Sequence, residues 1–348
     1  MNIIRKLQEN KEIWDIFSRK EEYNPVIKDK LNRFSYAASK DRDIFEPRVS
    51  RFLTESGFTI EYPDRAEFAV CLSHDIDWIY KESWRKGLDS FRSLKSMNLS
   101  QSLQDILDLQ SRKKPYCNVE QIVELEERYG ASSTFYFLAL KSQDMDFSYD
   151  VADLAGEFEF LHEHGAEIGL HGGHDAYNSM DALSEEKKRL EKVLGKKVLG
   201  YRNHFLKFIV PDTWENLCKA GFLHDSTFGY SDCVGFRNGM CHPFMPFNLT
   251  TNREIDILEI PLVIHDTTLF EGYMRLDPAT AWTLAKDLIN KTERNHGVIT
   301  VLWHNKTFNE PARAQLYEKI LDFCTTKKAW MTNAGEIASF WKNNGWKK

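Results

Sequence analysis

The sequence predicts an α/β fold, an irregular barrel of seven or eight strand–helix repeats behind a helical N-terminal extension. Two observations carry this prediction. Short apolar runs recur from Phe68 onward between stretches of helical periodicity, the pattern of buried parallel strands joined by crossover helices. Three of those runs also end on acid or histidine. Phe68-Ala69-Val70-Cys71-Leu72 leads into Ser73-His74-Asp75-Ile76-Asp77. Ala166-Glu167-Ile168-Gly169-Leu170 leads into His171-Gly172-Gly173-His174-Asp175, and Val298-Ile299-Thr300-Val301-Leu302 leads into Trp303-His304. Polar residues at the C-terminal ends of barrel strands converge on one face, so the three clusters are expected at one mouth.

Residues 1–62 are expected to form the extension. They are charged and helical in pattern, break at Asn24-Pro25, and offer Ile13, Trp14, Ile16 and Phe17 for docking. Residues 63–348 form the barrel domain. Its first strand ends at Ser73, and helical patterns follow over 84–111 and 119–128, the second stopping at Tyr129-Gly130. Strands are expected at 134–138, 167–170, 197–201, 222–225, 255–260 and from 298, with 329–331 closing the set. Helices are expected at 151–164, 184–194, 212–220, 278–294 and 311–323; the first three stop at Gly165, Gly195 and Gly221. A long aromatic and glycine-bearing stretch covers 229–248.

Composition narrows the function. A hydrophobic content of 42% can fill a core of barrel size. A net charge of −6 argues against nucleic acid as a partner. No apolar stretch spans a bilayer, and the first residues become charged too soon for a signal peptide. The six cysteines are scattered without a Cys-x-x-Cys pair; Cys71 and Cys324 read as small buried hydrophobes, which fits a reducing cytoplasm.

The chemistry-bearing residues point to a divalent metal with acid–base partners. Asp75 and Asp77 are two apart and point the same way on a strand, so one can bind metal while the other takes a proton from water. His171 begins a second cluster, with His174 three and Asp175 four positions on, and imidazole plus carboxylate suits zinc or another transition metal. His304 ends the third run and, with a reference pKa near neutrality, can serve as general acid. Arg202 could hold Asp75 ionised, and Asp225 could orient His304. His204, Arg237, His242 and the aromatic Trp303 are candidate substrate contacts.

In order along the chain, these segments resemble the polysaccharide deacetylase (NodB-homology, carbohydrate esterase) family from about Arg65 to Trp341. The resemblance implies an irregular (β/α) barrel, one divalent metal, commonly zinc, and removal of acetyl groups from N-acetylated sugars. It would make Asp75 the catalytic base, Asp77 and His171 metal ligands, Arg202 the support of the base, and His304 the general acid with Asp225 behind it. The 222–247 segment looks like intracellular members associated with bacterial surface-polysaccharide biosynthesis. Two departures stand out. The family's second histidine falls four after the first, where this chain has Asp175, so the third ligand is Asp175 by register or His174 by chemistry. Asn203-His204 also replace the usual prolines after the arginine, which offers His204 as a new ligand.

The expected activity is therefore metal-dependent hydrolysis of an N-acyl group on a sugar or glycan. The alternatives are a hydrolase of a non-sugar C–N bond and a metal-poor pseudoenzyme that binds glycan or a partner protein.

Overall fold

The computed structural model describes residues 3–80, 114 and 116–346. The helical pattern expected over 84–111 lies outside the described residues. Elements are numbered among the described residues.

The centre of the molecule is a curled parallel sheet. Strand β1 (Ala69–Ile76) is buried along its whole length, as a strand covered on both faces must be. On one edge it pairs with β10 (Val298–Leu302), in register Ala69 with Val298. On the other edge its first half pairs with β11 (Trp330–Thr332) and its second half with β2 (Thr134–Leu138). The sheet continues through β3 (Glu167–Gly172), β4 (Gly200–Asn203), β5 (His224–Asp225) and β8 (Leu258–Glu259) on one side, and ends at β9 (Ile264–His265) beside β10 on the other. Among the described residues β8 and β9 do not pair, so the barrel is open between them. A small hairpin, β6 (Phe247–Asn248) with β7 (Arg253–Glu254), stands apart.

Helices cover the outside: α4 (Val119–Glu127), α5 (Ala155–Glu163), α6 (Met180–Leu194), α7 (Asp212–Lys219), α8 (Asp266–Phe270), α9 (Pro278–Arg294), α10 (Pro311–Thr326) and α11 (Ala334–Asn344). Helix α9 matches its expected bounds. Helix α6 begins four residues earlier than expected because the Ser179 hydroxyl caps it, accepting from the Ala182 N–H at 3.2 Å. The strand expected over 255–260 shrinks to β8, because the Ile255 and Ile257 N–H groups bond Pro246 and Ile255 carbonyls instead of a strand. The two-residue β9 and the helix after it were not expected.

The extension contains α1 (Ile3–Gln8), α2 (Lys11–Phe17) and α3 (Arg48–Glu55). Ile4, Leu7, Ile13, Ile16 and Phe17 belong to the same apolar cluster as barrel residues Phe208, Trp214 and Phe244. Trp14 meets Phe247 edge-on, ring centroids 4.9 Å apart. All six cysteines are free, and no helix among the described residues is long and apolar enough to cross a membrane.

Candidate active site

Strand alternation decides which side chains of the first cluster meet. Val70 and Leu72 pack outward toward α9 and α10, and Ala69 and Cys71 take the opposite face. Ser73 and Asp75 continue the inner set, and Asp77 follows just past the strand end. His74 points outward, with Nε2 2.9 Å from Glu126 and Nδ1 2.7 Å from the Trp303 carbonyl. It therefore belongs to the packing of the outer layer.

Asp75 is held by Arg202 from β4. The guanidinium donates to Asp75 Oδ1 at 3.0 Å, to Ser73 Oγ at 2.9 Å and to the Ser226 carbonyl at 2.8 Å. Its flat face lies over the Tyr136 ring, 4.5 Å from the centroid. Gly169 makes room for that ring, since a Cβ there would stand 2.5 Å from Tyr136 Cδ1. Burial alone would raise the Asp75 carboxyl, but His171, when protonated, and the Arg202 guanidinium prevail and lower it.

Asp77, His171 and His204 offer three ligand atoms, all within 4.8 Å of one another. His171 Nδ1 lies 3.1 Å from the Arg202 carbonyl. A carbonyl only accepts, so that nitrogen carries the proton and Nε2 of the neutral ring is bare. The bare Nε2 faces Asp77 Oδ1 at 3.2 Å. Both atoms are buried without a hydrogen-bond partner. Two acceptors in contact repel unless a proton or a cation lies between them. His204 Nε2 is 3.8 Å from the same oxygen, while its Nδ1 sits 3.1 Å from Asp146 Oδ2. A carboxylate behind a ligating histidine fixes its tautomer and raises its basicity. Two imidazoles and a carboxylate are a common zinc donor set that leaves positions for water and substrate. The residues present fit a divalent cation.

His304 closes the site from β10. Its Nδ1 is 2.7 Å from Asp266 Oδ1, its own N–H donates to Asp266 Oδ2 at 2.9 Å, and its Nε2 is 3.6 Å from Asp77 Oδ2. Burial opposes charge on the ring, yet the Asp266 carboxylate prevails and raises His304 to about 9. Asp75 and His304 thus flank the cluster in one pocket of about 240 Å³. Arg33, from the extension, also lines it. Arg33 Nη1 donates to the Phe205 carbonyl at 2.5 Å, in a turn where Phe205 and Leu206 have φ of 60° and 52°. This left-handed turn, strained for bulky residues, directly follows His204.

Asp75, Asp77, His171, Arg202, His204 and His304 thus come together; six other candidates lie elsewhere. His174 and Asp175 sit in the turn beyond β3 and line a neighbouring cleft, where His174 bonds Asp175 at 2.7 Å and Lys207 at 3.1 Å. The third member of the His/Asp cluster comes from the next strand, as His204. Asp225 makes no hydrogen bond or ion pair with His304: it accepts from Thr227 Oγ1 at 2.6 Å, and burial raises its carboxyl. Asp266 takes the expected orienting place. Arg237 is buried against Glu22 of the extension and donates to the Gly229 carbonyl at 2.9 Å. His242 is buried between Ser50 and the His296 carbonyl, and burial drives it down to about 3. Trp303 is fully buried, in the outer apolar cluster. Three residues of the site region, Asp146, His265 and Asp266, were missed. The apolar stretch Leu262-Val263-Ile264 running into His265-Asp266 carries the same strand-end signature as the other clusters and could have revealed two of them.

No protein-family model matches the chain, and no curated protein sequence matches it. Solved structures do. A protein from Mycobacterium smegmatis described as a polysaccharide deacetylase is 18% identical over 82% of this chain and 93% of its own, with a TM-score of 0.56. One from Pseudomonas aeruginosa PAO1 with the same description is 16% identical over 81% and 93%, again at 0.56. Puue allantoinase is 16% identical over 91% of this chain and 98% of its own, also at 0.56. The resemblance to NodB-homology proteins first drawn from strand-end motifs thus holds for the architecture: the chain has the fold of the polysaccharide deacetylases.

Proposed function

We propose that the chain is a metal-dependent amide hydrolase that removes an N-acyl group, acetyl first, from a small sugar or the end of a glycan. The contact between two buried acceptors, His171 Nε2 and Asp77 Oδ1, carries this reading. A divalent cation held by Asp77, His171 and His204 would supply a Lewis acid for the acyl oxygen and acidify water from about 15.7 toward 7.

The chain's own residues do the rest. Asp75, kept ionised by Arg202, takes a proton from the attacking water as its oxygen bonds the acyl carbon. His304, kept protonated by Asp266, gives a proton to the amide nitrogen as the C–N bond breaks. The products are a carboxylate and a free amine. A pocket of about 240 Å³ lies below the size that encloses drug-sized ligands, which supports one sugar unit over a long buried chain. Hydrolysis of a non-sugar C–N bond is the second reading, favoured by the same small pocket and compatible with an allantoinase among the structural neighbours.

Protein reconstituted with zinc, nickel, cobalt or iron is expected to release acetate from an N-acetylated sugar, and the activity should vanish with chelator. Release of ammonia or amine from a non-sugar amide alone would transfer the assignment to the second reading. Metal-loaded protein that cleaves neither would overturn it.

A further inference from the structure

The pocket contains a second unpaired acceptor, away from the metal cluster. His265 ends β9, lines the pocket and is about nine-tenths buried. Its ring stacks against that of His304, centroids 5.3 Å apart and planes 28° from parallel. Its Nδ1 is 2.9 Å from Thr268 Oγ1. The Thr268 hydroxyl has a single proton, which it gives to the Ser231 carbonyl at 3.0 Å. Thr268 Oγ1 is therefore the acceptor in its contact with His265, and His265 Nδ1 is the donor. Nε2 is consequently a bare lone pair, and it is buried with no partner. Burial and the nearby His304 charge press His265 down to about 3, so the ring stays neutral. Asp266 cannot satisfy Nε2, because its Oδ1, 3.8 Å away, is itself an acceptor already bonded to His304. Ser231 Oγ, on the same pocket, is also buried without a partner. A buried acceptor left empty costs free energy unless a ligand fills it.

We propose that His265 Nε2, in the pocket that Ser231 also lines, forms a substrate subsite that accepts a hydrogen bond from a sugar hydroxyl next to the scissile acylamino group. This rests on the proposed amide hydrolysis for the placement of the acyl group. The roles divide: His304 donates a proton to the leaving nitrogen, and neutral His265 reads a hydroxyl without exchanging protons. His265 is a specificity residue. A ligand with no O–H at that position leaves the acceptor unpaired, the arrangement that gives strong rejection of deoxy analogues.

The test uses the metal-loaded full chain with N-acetylglucosamine and its set of monodeoxy analogues, read by binding. One analogue is expected to bind about 10-fold or more weaker than the parent, from the cost of a buried unpaired group. His265→Leu should weaken the parent by a similar factor and bind that analogue and the parent alike. His265→Gln, which can present a carbonyl acceptor, should restore part of the discrimination. Long-range nitrogen–proton NMR of the wild-type histidines should show His265 with Nδ1 protonated and Nε2 bare, and Nε2 should shift when the sugar binds. A proton on Nε2 in the free protein, equal binding of all analogues, unchanged discrimination in His265→Leu, or no binding of the sugar would each overturn the proposal. Failure of the amide-hydrolase reading looks different: the sugar binds through His265, yet no acetate is released. Acetate release that ignores His265 sinks only this subsite.

Discussion

Two regions of the molecule bury the same residue types and use them in opposite ways. Beneath the extension, Arg19, Arg237 and Glu22 are buried as deeply as anything at the barrel mouth. There Arg19 donates to Glu22 at 2.7 Å, to Tyr230 at 2.7 Å and to the Arg237 carbonyl at 2.7 Å, and Arg237 donates to Glu22 at 3.0 Å. None of these side-chain atoms is left unsatisfied. At the mouth, Asp77 Oδ1, His171 Nε2 and His265 Nε2 are buried and empty. Burial and charge alone do not mark a functional site, since both regions have them. Isolated unpartnered atoms occur elsewhere too, such as Asp225 Oδ2 and Trp303 Nε1; what separates the site from the clamp is that several unfilled polar atoms line one pocket.

The comparison can be broken by substitution. Asp75→Asn should lose roughly two to four orders of magnitude in turnover, the usual scale of general acid–base help, while metal content stays near wild type. Near-native turnover would remove Asp75 from the mechanism. Arg237→Met should do the reverse, costing about 3–5 kcal/mol of stability by leaving Glu22 undercompensated, with KM unchanged in the folded fraction. A selective rise in KM would return Arg237 to the substrate contacts. Asp146→Asn takes the carboxylate from behind His204 and should weaken metal binding about 10- to 100-fold, measured by competition with a chromophoric chelator.

The smallest effect concerns pH. Asp266 stabilises the charged His304 ring, so the acid stays protonated up to about 9 and activity falls as pH rises past that value. Asp266→Asn removes the stabilising charge, so the alkaline limb of the kcat profile should move down toward the ordinary histidine range. An unmoved limb would mean that another group sets it.

The fold was legible because each long strand is a continuous apolar run, and because strand ends gather polar residues by topology. Asp75, Asp77, His171, Arg202 and His304, picked out by that rule and by the family resemblance, do come together at the barrel mouth. What sequence conceals is which atoms already have partners. Arg237 and His242 looked like substrate contacts because a guanidinium and an imidazole in an aromatic stretch suit a ligand, and their true partners, Glu22 and Ser50, lie far away in the chain. Asp225 matched a motif but bonds Thr227, while Asp266, which follows a strand of two residues too short to show periodicity, took the place beside His304. His174 had the right chemistry at the wrong end of a turn, and the imidazole that joins Asp77 and His171 is His204, from the adjacent strand.

The most direct test of the central claim is a metal titration of wild type beside His204→Ala and His174→Ala. The geometry predicts one divalent ion per chain in wild type and in His174→Ala, and its loss in His204→Ala. Retention in His204→Ala with loss in His174→Ala would contradict the assigned cluster, and no uptake by wild type would leave the barrel mouth without a metal centre.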